Sequence, residues 1–271
     1  MLAKKIYLYA LLIVISILTL MPFIWMVSAS FMADAHASVY PPRFIPDQFT
    51  LIQYGRLFER LNVARNLLNS LFVSILVTAV SLFLNSMAGY AFAKYRFRGK
   101  NRLFSLLLSS MIIPSQVTML PLFLMLKYMG LINTYLAILI PGMANIFGIF
   151  LIRQYALSIP DSIVESARID GAGDFQIYSR IILPLLKPIL ITLTIFTFMG
   201  TWNDFLWPLI ALTDNSMYTL PVALAGLMGE HAKDPELMMA GSVITILPVL
   251  IVFLVLQKHY IQGIMMGSVK G

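Results

Sequence analysis

The sequence predicts an all-α integral membrane protein. It has six transmembrane helices and a charged helix–turn–helix between the fourth and fifth. Three observations carry this reading. Of 271 residues, 59% are apolar and only 11% are charged, against about 45–50% and about 25% in an average soluble domain. Uncharged runs recur along the chain, most of them longer than the ~20 residues that a hydrocarbon core of ~30 Å asks of a helix. The basic residues fall mainly on one side once those runs are laid out as spans. Helix is the form each run must take, because lipid offers backbone groups no partner but one another. Too few charges remain to solvate a soluble enzyme or a disordered tail. Lys and Arg are scattered between runs rather than gathered on one face, which excludes a nucleic-acid-binding domain. Cys is absent, so the chain has no disulfide framework, thiolate metal site or cysteine nucleophile.

The first span is Ile6–Ala33. Lys4 and Lys5 precede it as they would a signal peptide, but the run is too long, contains Pro22 and Trp25, and has no small-residue cleavage site. It is therefore read as a retained helix. The segment Asp34–Arg65 follows, with Pro41, Pro42 and Pro46 and then an amphipathic stretch around Leu51, Tyr54, Leu57, Phe58 and Leu61. Asn66–Ala93 is the second span. The basic stretch Lys94–Arg102 reads as an orientation signal or a partner contact. Leu103–Leu126 and Tyr128–Ile152 are the third and fourth spans. Pro188–Asn203 continues past Asp204 into Phe205–Thr213 as the fifth. The segment Asp214–Glu236 carries Glu230, His231, Lys233, Asp234 and Glu236, and Leu237–Gln257 is the sixth span. Six spans put both termini on one side. With that side assigned to the cytoplasm, thirteen basic residues lie inside and six outside, as the positive-inside rule requires. No repeat or low-complexity linker divides residues 1–271, which read as a single membrane domain.

The inner segment 159–185 is too charged to cross a membrane. Pro160 suits a first helical turn and Asp161 complements the helix dipole there. The helix is expected to run to about Asp170, with Gly171 as its left-handed stop. A second short helix is expected from about Asp174 to Ile182, ending at Pro184. Glu165, Arg168 and Asp170 offer polar contacts. Ala167, Gly171, Ala172 and Gly173 permit close approach, and Ile163, Val164, Phe175, Ile177 and Tyr178 supply apolar area. Such a helix suits docking into a partner's groove.

These residues resemble the EAA loop of binding-protein-dependent ABC transporter permeases. Glu165-Ser166-Ala167, Gly171, Ile181, Leu183 and Pro184 stand at the family's spacing, with Ser166 in place of the first Ala. Asp170-Gly171-Ala172 and the stretch Thr201–Pro208 resemble the carbohydrate branch. The ending Gly267–Gly271 is similar to maltose-type (MalG-like) subunits, and with Asn69-Ser70 the likeness covers nearly the whole chain. It implies a prokaryotic plasma (inner) membrane permease of an importer. Its implied partners are a second, homologous permease subunit, two ABC ATPase subunits, an extracytoplasmic solute-binding protein and membrane lipid, with no nucleic acid. It also implies that Glu165, Ser166, Ala167, Arg168, Asp170, Gly171 and Ala172 form the ATPase-coupling element. The chain has no Gly-x-x-x-x-Gly-Lys-Ser/Thr phosphate loop, so it is expected to bind no cofactor, with ATP and Mg used by the partner ATPase.

An ion-coupled secondary transporter is the alternative. It would place ionisable residues inside spans, where Asp204 stands alone. His36, His231 and His259 lie at or beyond span ends. A sugar path wants amide or carboxylate groups beside an aromatic ring, which points to Asn85, Ser86, Asn145, Trp202, Asn203 and Asp204. Each Asn reads equally as interhelical hydrogen-bond partner, and each Trp as an interfacial anchor. Met119, Met125, Met129 and Met143 read as adaptable packing. Pro22, Pro114, Pro121, Pro141, Pro208 and Pro248 read as kinks or hinges.

Overall fold

The computed structural model describes the backbone of residues 2–41, 43–230 and 234–266. Pro42, His231, Lys233 and the tail Gly267–Gly271 lie outside the described residues, as do the side chains of Glu230, Lys258 and His259. Regular structure among the described residues is helical throughout. In order it comprises α1 (Leu2–Ala29), α2 (Ile52–Arg60), α3 (Val63–Lys94), α4 (Lys100–Ser110), α5 (Ser115–Tyr128), α6 (Leu136–Gly142), α7 (Ile146–Leu157), α8 (Asp161–Ile169) and α9 (Asp174–Ile177). A π-helical turn (Tyr178–Ile182) leads into α10 (Leu183–Leu185) and α11 (Lys187–Trp202). Then come α12 (Leu206–Ala211), a 3-10 turn (Asn215–Met217), α13 (Leu220–Glu230) and α14 (Pro235–Met266).

Four segments among the described residues are long and apolar enough to cross a membrane: Lys4–Ala29, Val63–Lys94, Leu136–Leu157 and Pro235–Gln257. Two bent pairs, α4 with α5 at 102° and Asp174–Leu185 with α11 at 76°, raise the number to six if each pair is one span.

Three runs differ from expectation. Leu103–Leu126 is not one helix. It breaks between Ser110 and Ser115, because Pro114 has no N–H and pushes Ile113 away from helical geometry. The run Tyr128–Ile152 starts late: α5 extends to Tyr128, left-handed Gly130 (φ +71°) and Asn133 (φ +59°) turn the chain, and helix resumes at Leu136. The run from Pro188 to Thr213 stops at Trp202, and Asp204 Oδ1 accepts the Trp207 N–H (3.4 Å) at the start of the separate helix α12. Upstream, Pro184 does not end the helix. The wider π-turn precedes it, where the Leu183 N–H reaches Tyr178 O, and the path bends at Leu186 into α11. A π-bulge beside a proline takes up the missing backbone bond.

The chain divides into two compact units, Met1–Asn66 with Leu220–Pro248, and Leu67–Thr219 with Val249–Gly271. In the first, α2 buries Leu57 and Gln53. Gln53 Nε2 donates to Asp34 Oδ1 (2.9 Å) and Met32 O (3.2 Å), and Arg56 pairs with Asp34. These donors hold the Asp34 carboxyl below the usual carboxylate range. Glu236, buried at 1% exposure, accepts the Ala37 N–H at 2.7 Å. In the second unit one core joins Tyr90 and Ala93 of α3 to Ile152, Ala156, Val164, Ala167, Ile177, Tyr178, Ile182 and Leu186. Another joins Val73 and Val77 to Leu126, Ala137, Ile138, Trp207 and Ala211. One tight crossing is at Gly89. A Cβ there would stand 2.6 Å from Ile152 Cγ2 and 3.0 Å from the Arg153 backbone nitrogen, so only glycine lets α3 and α7 approach this closely.

Candidate functional site

The charged segment between α7 and α11 folds as two helices joined by a tight turn. Pro160 ends the extended approach, and Asp161 opens α8. The helix closes with a Schellman turn: Ala172 N–H bonds Ala167 O (2.9 Å), Gly171 N–H bonds Arg168 O (3.0 Å), and Gly171 has φ +82°. Glycine takes that left-handed conformation without a Cβ penalty, so the predicted stop is where the sequence places it.

The turn sorts the candidate residues by face. Val164 and Ala167 point into the core with Ile177 and Tyr178, and Ala172 is half-buried against it. Glu165, Ser166, Arg168, Asp170 and Gly171 are exposed, and Phe175 is exposed too. Ile163 sits at the boundary. Ile169, not singled out in the sequence, is 86% exposed. It lies four residues beyond Glu165, hence on the same stripe of α8. An outward stripe of Glu165 and Ile169, flanked by Arg168 and Phe175, joins charge to uncovered apolar area.

Lys94, the first residue of the basic stretch Lys94–Arg102, holds this segment in place. Lys94 Nζ donates to Asp161 Oδ1 at 2.6 Å and to the Ile159 carbonyl. Lys100 Nζ donates to Tyr95 O (2.9 Å) and Ala93 O (3.2 Å), and Arg153 Nε to Phe92 O (3.2 Å). Lys100 and Arg153 thereby satisfy carbonyls left open where α3 ends. The Arg153 guanidinium also lies 4.1 Å from the centre of the Phe104 ring. On the loop itself, Arg168 pairs with Asp174 (3.0 Å) and lies 5.8 Å from the Tyr95 ring centre. Lys94 holds the Asp161 carboxyl below its ordinary range. Burial, and then the hydrogen bond with Asp174, push the Tyr95 phenol up. Deeper in, Ser86 of α3 and Tyr178 share a buried hydrogen bond of 2.7 Å. The sequence offers these residues only as charges, apolar area or span residues, because the long-range hydrogen bonds join partners 61 to 92 positions apart and leave no local signal.

The solute-path candidates separate into two places. Asn85 and Asn145 meet: Asn85 Oδ1 accepts the Asn145 N–H (3.1 Å), and Asn85 Nδ2 donates to Ser81 Oγ (2.9 Å). Asn145 caps α7, its Oδ1 accepting Phe147 N–H (2.9 Å) and Gly148 N–H (3.4 Å). Asn85 is buried and Asn145 exposed. Trp202, Asn203 and Asp204 lie together at the break after α11. Trp202 is buried and stacked on Phe198 (5.9 Å, 14°), Asn203 is exposed, and Asp204 is half-buried. Two anchors escaped the sequence reading in this role. Asn69 Nδ2 donates to Ser216 O and Tyr218 O, both at 3.0 Å, while its Oδ1 accepts Tyr135 O–H (2.8 Å). Trp207 Nε1 donates to Ala137 O (2.9 Å).

An apolar helical chain with several helices long enough to cross a membrane, polar breaks between them and a charged loop seated on the core defines a multi-pass membrane protein. Residues 85–265 match the family of binding-protein-dependent transport system inner membrane components, and the chain belongs to that family. It is a multi-pass inner-membrane permease subunit of an ABC-type transporter, non-catalytic itself. Membership implies ATPase and solute-binding partner components. The chain is 41% identical over 203 residues to the arabinooligosaccharides transport system permease protein AraQ of Halalkalibacterium halodurans, covering 75% of this chain and 73% of that protein. It is 31% identical to the lactose transport system permease protein LacG of Rhizobium radiobacter, covering 97% and 95%. Among solved structures it resembles a chain of a bacterial ABC transporter that imports the acidic polysaccharide alginate. The TM-score is 0.84 at 28% identity, covering 95% of this chain and 96% of that one.

Proposed function

We propose that residues 1–271 form one permease domain of an ATP-driven carbohydrate importer, half of a path completed by a second, homologous permease. All six runs act as spans, with both termini cytoplasmic. An extracytoplasmic binding protein delivers the solute, and two ATPase subunits dock on the cytoplasmic 159–185 segment. The observation that carries this reading is α8: a short rigid helix, closed at Gly171, seated inward by Val164 and Ala167 and showing Glu165, Arg168, Ile169 and Asp170 outward. Ala167 and Ala172 set its seating, and Ser166 lies exposed beside Glu165. ATPase closure pushes this helix, and the spans rock around the solute, as in alternating access.

An oligosaccharide is the solute class. The names of the relatives support it, and so does the residue chemistry: Asn145, Asn203 and Asp204 supply hydrogen-bonding groups, Asn85 fixes Asn145, and Trp202, buried against Phe198, anchors the segment that carries Asn203 and Asp204. The maltose-type placement of the tail belongs to the same proposal. The test is Gly171→Pro and Glu165→Lys in the whole transporter. Proline fixes φ near −65° and removes the N–H that closes the turn. Both variants are expected to reach the membrane and lose uptake at least tenfold. Normal uptake in both overturns the coupling role. An uptake screen with oligosaccharides and an unrelated solute set tests the class.

A further inference from the structure

We infer that Lys94 is a positioning residue that fixes the start of α8 to the end of α3, so that α3 moves with the loop. The inference rests on the coupling role of α8 and adds the helix that receives its motion. A nine-residue helix has little stability of its own, so its direction is set by what grips it. Its far end is closed by the Gly171 turn. Its near end has no side-chain cap, and Pro160 supplies no N–H. Ile159 and Val164 pack this end into the core, and the polar grip on it is Lys94, through the Asp161 carboxylate and the Ile159 carbonyl.

Two facts separate this from a plain orientation charge or helix cap. The carbonyls of Phe92, Ala93 and Tyr95 are already taken by Arg153 and Lys100, so Lys94 is not needed for them. Its side chain is only 6% exposed, and burying a charged group is costly unless it is paired and hydrogen-bonded, as Lys94 is here. Eight residues earlier on the same helix, Ser86 holds Tyr178 at the π-turn. Helix α3 therefore grips the loop at two points, the start of α8 and the start of the π-turn. A displacement of α8 passes into α3 as well as into the flanking α7 and α11.

The test uses the full transporter in vesicles and reads solute moved per ATP hydrolysed. Lys94→Met is expected to lower that ratio at least fivefold with hydrolysis within twofold of wild type, and Lys94→Arg to restore it to within twofold. Asp161→Asn lowers it less. The Lys94→Met/Asp161→Asn double variant falls no further than Lys94→Met, because residues that act as one contact are non-additive. An unchanged ratio in Lys94→Met, or additive losses in the double variant, overturns the inference. If Lys94→Met does not assemble, Asp161→Lys decides: it sets like charges together at an exposed site, and a wild-type ratio there overturns the inference. Glu165→Lys runs alongside. If it leaves the ratio intact, the coupling role of the loop fails. If it uncouples while Lys94→Met does not, only the Lys94 inference fails.

Discussion

Helices α1 and α3 are alike in sequence and opposite in structure. Both are long and strongly apolar, at 28 and 32 residues. Yet none of the central window of α1 is buried, while 39% of that of α3 is. The difference lies in small and polar residues. The buried face of α3 carries Asn69, Ser70, Ser74, Thr78, Ser81, Asn85 and Ser86, followed by Gly89. In α1, Ser16 and Thr19 return their hydroxyls to their own helix. Apolar surface gives helices no reason to associate in lipid, where tails are as apolar as leucine. Close backbone approach and interhelical hydrogen bonds do. Apolarity therefore puts a helix in the membrane, and its polar minority decides whether it is packed there.

Substitutions can break that contrast or sharpen it. The largest effect is expected from Gly89→Leu, which drives a side chain into Ile152 and the Arg153 backbone. A loss of about 3 kcal/mol should appear as an earlier unfolding midpoint in detergent, with uptake lost. Asn85→Ala comes next. It removes the bonds to Ser81 and to the Asn145 N–H and should cost roughly 1–2 kcal/mol in the same titration. A leucine-to-alanine change on exposed α1, Leu18→Ala, should shift stability by no more than about 0.5 kcal/mol. If Leu18→Ala proves as costly as Asn85→Ala, polar content is not what separates the two helices.

Much of the fold is legible because its physics is local. The uncharged runs mark α1, α3 and the start of α14 to within four residues, since hydrophobic length is a property of consecutive residues, while α14 continues nine residues past Gln257. Gly171 is legible as a stop because the left-handed turn needs no distant partner. The prolines mark the limit. Pro22, Pro121 and Pro248 sit inside helices, and Pro114 stands in a break, just before α5, although nothing in their immediate neighbours tells them apart. The fifth run misled for a related reason: Asp204 is one charge in an apolar stretch, yet its carboxylate helps start a new helix. The face-sorting of α8 was half legible. The sequence marks Val164, Ala167, Glu165, Arg168 and Asp170, but it does not single out Ile169, nor show that Phe175 of the neighbouring α9 stays uncovered.

Composition, run length and short spacing suffice to read the lipid environment, the approximate apolar runs, and the position and turn of the charged segment. Which charges do specific work is set by long-range packing. Lys94, Lys100, Arg96 and Arg98 are equivalent as a count of positive residues. Lys94 alone among these four reaches Asp161, because the end of α3 lies against the start of α8. That neighbourhood depends on Gly89 letting α7 close on α3 and on a buried core shared by residues as far apart as Tyr90 and Ile189. Such long-range packing has no signature in any short stretch of the chain.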